Sequence, residues 1–257
     1  MTRRGEYDAV VIGSGPNGLA AAITLARAGK SVVVFEAADE IGGGTRSAEL
    51  TLPGFVHDVC SAVHPMGAAS PFFRELPLAQ HGLDWIHPPL CVAHPLDGGR
   101  AAILNRNIEK TCAALGADGL TWRRLVGSLA KNWSELEDVT TGPIGLPKHP
   151  LAAAAFGVHA IQSAMSIARG RFATEEARAL IAGLAAHSLE PLDSLGTGAV
   201  ALVFAAVGHV YGWPIPRGGS QKIADALASY LIELGGEIVT GVRVRSLSEL
   251  PTTRATL

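Results

Sequence analysis

The 257-residue sequence predicts an α/β fold with a parallel sheet, interrupted by a mixed α+β, largely helical insertion. Three observations predict it. A short apolar run, Asp8 to Ile12, leads through a glycine turn and an alanine-rich stretch to a second apolar run, Ser31 to Phe35. Short runs that are apolar throughout suit strands buried on both faces of a parallel sheet. The middle of the chain, Leu120 to His187, turns helical, and from Ser220 a helix and then a strand return.

The elements follow in order. Asp8 to Ile12 reads as the first strand, and Gly13-Ser14-Gly15-Pro16-Asn17-Gly18 as the turn leaving it. Leu19 to Ala28 reads as a helix that Gly29 stops. Glu36 ends the second strand, and Ile41 to Thr45 forms a second glycine loop. Residues from about 60 to 110 are rich in His and Pro, which predicts loops and short strands. Thr174 is placed to cap a helix, with Glu175 and Glu176 in its first turn and an apolar face of Ala177, Leu180, Ile181 and Leu184. The uncharged run Thr197 to Pro216 holds interior glycines and closes on two prolines, so it reads as a buried helix or a cavity wall rather than a membrane span. Ser220 is expected to cap a helix over Gln221 to Leu234, with Ile223, Leu227, Leu231 and Leu234 on one side. Gly235-Gly236 end that helix, and Glu237 to Val244 alternates as a strand. The expected division is 1–60 and 212–257 for the nucleotide-binding domain, with 61–211 as an inserted substrate domain.

Composition narrows the class. Hydrophobic residues make up 48% and charged residues 17%, which excludes a disordered chain. A formal net charge of −2, with scattered cations, gives no reason to expect nucleic-acid binding. Arg3-Arg4 precedes a stretch that glycines break at once, so a strand is read there and not a signal peptide. Cys60, Cys91 and Cys112 form no C-x-x-C pair, which fits reduced thiols, a cytoplasmic setting and no metal site.

The chemistry begins at Gly13-x-Gly15-x-x-Gly18. The first glycine permits the tight turn, the second lets backbone approach a pyrophosphate, and the third lets helix pack closely on strand. The helix start then offers N–H groups and a positive dipole end to phosphate. Glu36 is placed to accept ribose hydroxyls and to repel a 2′-phosphate, which disfavours NADP. Strand, turn, helix, strand and acid in this order define a dinucleotide site. The second cluster, Gly42-Gly43-Gly44-Thr45-Arg46, is not needed by a plain NAD domain and points to FAD.

Two segments carry a family resemblance. GSGPNGLAAAITLARAGKSVVVFEA with IGGGTRSAELTLPGFVHDVCSAVHP, and GWPIPRGGSQKIADALASYLIELGGEIVTGVRV, resemble the phytoene dehydrogenase (carotenoid desaturase)-related FAD-dependent oxidoreductases, grouped with the amine oxidases. The resemblance implies a Rossmann-like FAD-binding domain and hydride transfer from a hydrophobic, isoprenoid or carotenoid-like substrate to flavin. It implies FAD contacts at Gly13, Ser14, Gly15, Gly18, Glu36, Gly43, Gly44, Thr45 and Arg46, with Gly218 and Gly219 beside the flavin ring. Peripheral membrane contact is compatible with such a substrate. Many relatives carry Gly-Gly-Arg where this chain has Gly43-Gly44-Thr45, which leaves the role of Arg46 open. Family members are about twice as long, so a truncated chain is expected. The other readings are a non-catalytic binder or inactive fragment on the same fold, and an NAD-dependent dehydrogenase.

No catalytic base is demanded by this sequence. His64 and Trp213 are candidates for the substrate pocket, and His57 flanks Asp58 nearby; structural roles are the plainer reading of the histidines. His187, Asp193 and Ser194 lack a nucleophile elbow, which argues against a hydrolase.

Overall fold

The structure is a computed structural model that describes residues 6–142 and 145–257; Arg3-Arg4 lies outside them. The chain divides into two compact units. Unit 1 comprises Met1–Val63, Glu75–Ile86 and Ile215–Leu257, and unit 2 comprises His64–Arg74 and His87–Pro214. Residues 75–86 fall inside the span that the sequence reading gives to the insertion, yet they cluster with unit 1. The physical reason is packing: the His81 ring nitrogen bonds Ser229 at 2.8 Å, its ring lies on Tyr230, and the strand Trp85–Ile86 pairs with Ile215–Pro216.

Unit 1 is built on β1 (Tyr7–Ile12) and β2 (Val32–Phe35), joined through the helix Pro16–Arg27. All four residues of β2 are buried, as an apolar run in a parallel sheet requires. The helix starts three residues before its expected position because Pro16 takes its first turn, where a missing N–H costs nothing. It ends in Gly29, whose φ of 73° suits only glycine. A short hairpin follows, β3 (Ser47–Glu49) against β4 (Val56–Asp58). β5 (Trp85–Ile86) precedes β6 (Val92–Leu96) and β7 (Arg100–Leu104), which belong to unit 2. β8 (Ile215–Pro216) returns the chain to unit 1, and β9 (Glu237–Val239) and β10 (Thr253–Thr256) complete its sheet in the order β10-β1-β2-β9, all parallel. Leu19, Ile23 and Ala26 of the first helix and Ile223, Leu227 and Leu231 of helix Gln221–Glu233 are buried where the two helices pack. Each of these Leu and Ile side chains contributes roughly 1.5–3 kcal/mol on burial.

Two expectations need correction here. The strand predicted over Glu237 to Val244 stops at Val239, because Gly241 takes a positive φ and its N–H bonds Ala38 instead of a strand neighbour. Ser220 makes no side-chain cap on its helix; groups from β3 and β4 take that role, as described below.

Unit 2 is largely helical. Its core gathers Trp122, Leu180, Ile181, Leu184, Leu202 and Val207, among others. The helix Thr197–Val210, from the uncharged run, is a core helix: Ala201, Leu202, Ala205, Ala206 and Val207 are buried. Among the described residues no single helix is long and apolar enough to cross a membrane. Thr174 caps helix Glu175–Ala185 through Ala177 N–H, and the Asp118 carboxylate accepts from Ala173 N–H, Thr174 N–H and the Thr174 hydroxyl. Burial pushes the Asp118 carboxyl up, but these donors outweigh it and hold it below its ordinary range. Trp122 donates its ring N–H to His209 Nε2 at 3.0 Å, and His209 Nδ1 lies 3.2 Å from the Arg106 carbonyl oxygen. Burial lowers the His209 pKa, so the ring is neutral, with its proton on Nδ1.

Candidate functional site

The site grows out of the end of β1. Gly13 has a φ of 101° and donates its N–H to the Phe35 carbonyl at 2.8 Å, which ties the turn to the end of β2. Gly18 has no room for a side chain, because a Cβ there would stand 2.1 Å from the Gly13 carbonyl oxygen. The helix therefore begins directly against the turn. Its start has Gly15 as the flanking residue, no side-chain cap and no acid in the first turn. An uncapped helix start is a ready anion site.

Glu36 stands beside it. Its Oε2 accepts from Ser14 N–H at 2.9 Å and from the Ser14 hydroxyl at 2.7 Å, and its Oε1 accepts from Ala38 N–H at 2.9 Å. Burial pushes the Glu36 carboxyl up, while these hydrogen bonds push it down further, so it sits below its ordinary pKa and stays ionised. A carboxylate offers about four lone-pair positions. The three donors named engage three of them, and the Ala37 backbone N–H also acts on this carboxylate. The Ser14 side chain is fully buried and directed at Glu36, so it acts on that acid.

The second glycine loop lies against the first turn. Gly42 N–H donates to the Ser14 carbonyl at 3.1 Å, and a Cβ on Gly43 would stand 3.1 Å from Gly15 Cα. Two backbones thus meet where a phosphate chain could be held by amides from both sides. Thr45 is buried with its hydroxyl on the Gly42 carbonyl, and Arg46 Nε donates to the Gly43 carbonyl at 3.0 Å. Ser61 bonds the Gly44 carbonyl through both its N–H and its hydroxyl.

The third piece is the turn at Gly218-Gly219, with φ of 87° and 99°. A Cβ on Gly219 would stand 2.6 Å from Ser47 Oγ. Ser47 and Asp58 sit opposite each other on β3 and β4, and the Ser47 hydroxyl donates to Asp58 Oδ1 at 2.7 Å. Asp58 Oδ1 also accepts Ser220 N–H at 2.7 Å, and Ser47 Oγ accepts Gln221 N–H at 3.0 Å. The Gln221 side chain donates to the Ile41 carbonyl at 3.2 Å, so helix Gln221–Glu233 also holds the glycine loop. Sequence reasoning missed Ser47, Asp58 and Gln221. Their signal, a polar residue on each strand of a short hairpin, has meaning only once the far end of the chain is folded against it.

Unit 1 thus brings together Gly13, Ser14, Gly15, Gly18, Glu36, Gly43, Gly44, Thr45 and Arg46, and sets Gly219, next to Gly218, against Ser47 of the β3–β4 hairpin. His57 lies in β4, bonded to Thr51. His64 and Trp213 lie in unit 2. His64 N–H bonds the Pro214 carbonyl, and Trp213 packs on His187 and Phe204. An apolar pocket of about 280 Å³ in unit 2 is lined by residues including Leu96, Ala164, Met165, Ala179 and Leu192; neither His64 nor Trp213 lines it. Among the described residues no three His, Cys, Asp or Glu side chains gather as metal ligands.

Comparison with known proteins agrees with this geometry. Residues 11–76 match the NAD(P)-binding Rossmann-like domain family. The chain is 31% identical to one of the subunits of limonene dehydrogenase from Castellaniella defragrans over 115 residues, covering 45% of this chain and 21% of that protein. It is 29% identical to an uncharacterized protein of Mycobacterium tuberculosis over 280 residues, covering 97% of this chain and 50% of that one. A putrescine oxidase variant shares the fold at a TM-score of 0.56 and 22% identity, over 93% of this chain and 52% of the other. The chain therefore spans about half, or less, of the length of these relatives. The class is an α/β protein with a Rossmann-like domain, its fold shared over most of the chain with a putrescine oxidase structure.

Proposed function

We propose that this chain is the FAD-binding part of an oxidoreductase. The uncapped start of helix Pro16–Arg27 holds the pyrophosphate, and Glu36 holds the adenosine ribose. The observation that carries the reading is the meeting of the two glycine turns, Gly42 N–H on the Ser14 carbonyl with Gly43 against Gly15. A plain NAD site needs the first turn only. Two apposed backbones supply amides to a longer pyrophosphate-flavin ligand. FAD, when bound, supplies the hydride acceptor. The chain's own residues bind, orient and keep Glu36 ionised. With FAD bound, Gly218 and Gly219 would take the flavin side of the ligand, as the resemblance implies, and Arg46 would offer it the guanidinium nitrogens not bonded to Gly43.

The substrate class that fits is a hydrophobic small molecule. An isoprenoid-like substrate is the form of it that the family resemblance implies; the limonene dehydrogenase subunit matches this chain over 45% of this chain's length and 21% of its own. The match of residues 11–76 to an NAD(P)-binding family favours one competing reading, an NAD-dependent dehydrogenase. One experiment separates them. The purified chain is titrated with FAD and with NAD, and its visible spectrum and the ligand released on denaturation are recorded. Flavin uptake with weak NAD binding is expected. A folded chain that binds NAD and leaves FAD in solution overturns the reading.

A further inference from the structure

The two glycine motifs of the cofactor region are about 170 residues apart in sequence, and the side chains of Asp58 and Ser47, with that of Gln221, join the segments that carry them. Asp58 Oδ1 accepts both the Ser47 hydroxyl and Ser220 N–H, each at 2.7 Å. Ser47 passes the connection on by accepting Gln221 N–H at 3.0 Å. The next two N–H groups of that helix bond Gly219 and Ser220 carbonyls. The first donors of helix Gln221–Glu233 are therefore all satisfied, two of them by the hairpin that follows the Gly42–Arg46 loop. Gly219 is also pressed onto Ser47, leaving no room for a Cβ.

We propose that Asp58, acting through Ser47, is a positioning residue for the flavin end of the cofactor. It locks the Gly218-Gly219 turn to the glycine loop and fills the second helix start with a protein carboxylate, so that ligand phosphate is directed to helix Pro16–Arg27 alone. The proposal rests on the FAD reading above and adds to it the group that sets the flavin-side turn. The hydrogen bonds of Asp58 run to Ser47 and Ser220 and those of Glu36 to Ser14 and Ala38, so the adenosine half of the site is expected not to depend on Asp58.

The test compares FAD with ADP. The 257-residue chain and its Asp58→Ala, Asp58→Asn and Ser47→Ala variants are titrated with each ligand, alongside thermal melts and the visible spectrum of bound flavin. Loss of a charge-assisted hydrogen bond predicts about a tenfold fall in FAD affinity for Asp58→Ala, with the flavin bands moved toward those of free flavin and ADP affinity unchanged. Asp58→Asn keeps an acceptor oxygen and is expected to recover most of the affinity; Ser47→Ala is expected to fall between the two. Asp58→Ala binding FAD as the parent does, or losing ADP and FAD in parallel, overturns the proposal while the FAD reading stands. A parent chain that takes up no FAD sinks the reading itself, and this proposal with it.

Discussion

Helix Pro16–Arg27 and helix Gln221–Glu233 pack on each other in unit 1, yet their starts are finished in opposite ways. The first has a glycine before it, no side-chain cap and no acid in its first turn. The second is closed by Asp58 and Ser47 from the hairpin. A cap contributes about 1 kcal/mol to a helix, so leaving one open is a stability loss that a bound anion can offset. On the proposed reading, the difference teaches where phosphate belongs: the open start is the ligand's, and the closed start is part of the scaffold that shapes the site.

The contrast can be broken most severely at Gly18. Gly18→Ala drives a Cβ to 2.1 Å from the Gly13 carbonyl, so turn and helix must separate. Denaturant unfolding is expected to show a loss of about 3 kcal/mol or more, together with loss of FAD uptake. Next comes the closed start. Gly219→Ala combines a φ of 99° with a Cβ 2.6 Å from Ser47 Oγ, and a loss of about 2 kcal/mol is expected.

Glu36→Gln tests the ligand side. It removes the charge that the proposed site offers to the ribose hydroxyls, and calorimetry is expected to show roughly a tenfold weaker FAD complex, about 1.4 kcal/mol. The same residue links stability to pH. Its pKa is lowered in the folded chain, so the unfolded chain binds that proton more readily. The contribution is complete above the unfolded carboxyl pKa of about 4.3 and is lost as pH falls below it. Melts between about pH 3 and 6 should therefore converge for parent and Glu36→Gln at the acid end; curves that stay parallel contradict the assignment. The smallest effect belongs to Gly29, which ends the open helix away from the ligand. Its φ is 73° with nothing within 4 Å, so Gly29→Ala should lower stability by about 1 kcal/mol and leave FAD affinity unchanged.

Much of the first unit was legible because it is local. Apolar runs, a glycine turn and an acid at fixed spacing specify β1, the helix, β2 and Glu36 without reference to the rest of the chain. Thr174 and the face Ala177, Leu180, Ile181 and Leu184 were legible for the same reason, and all four face residues are fully buried. The readings that changed depend on distant partners. β10 is short and polar, and it is a strand because the backbone of β1 accepts it. The tail of the strand predicted after Gly236 turns away after Val239, where Gly241 N–H and Val242 N–H bond Ala38 and Glu36 carbonyls.

The sequence by itself determined a βαβ unit with an open helix start and an acid beside it, because turn geometry, helix periodicity and close packing at Gly18 are properties of contiguous residues. Only the tertiary structure decided which helix start stays open. Ser220 has the composition of a cap, but Asp58 and Ser47, brought in from β4 and β3, take the N–H groups there. Hydrogen-bond donors are satisfied by whatever acceptor the fold delivers, and acceptors more than 160 positions away carry no local signature.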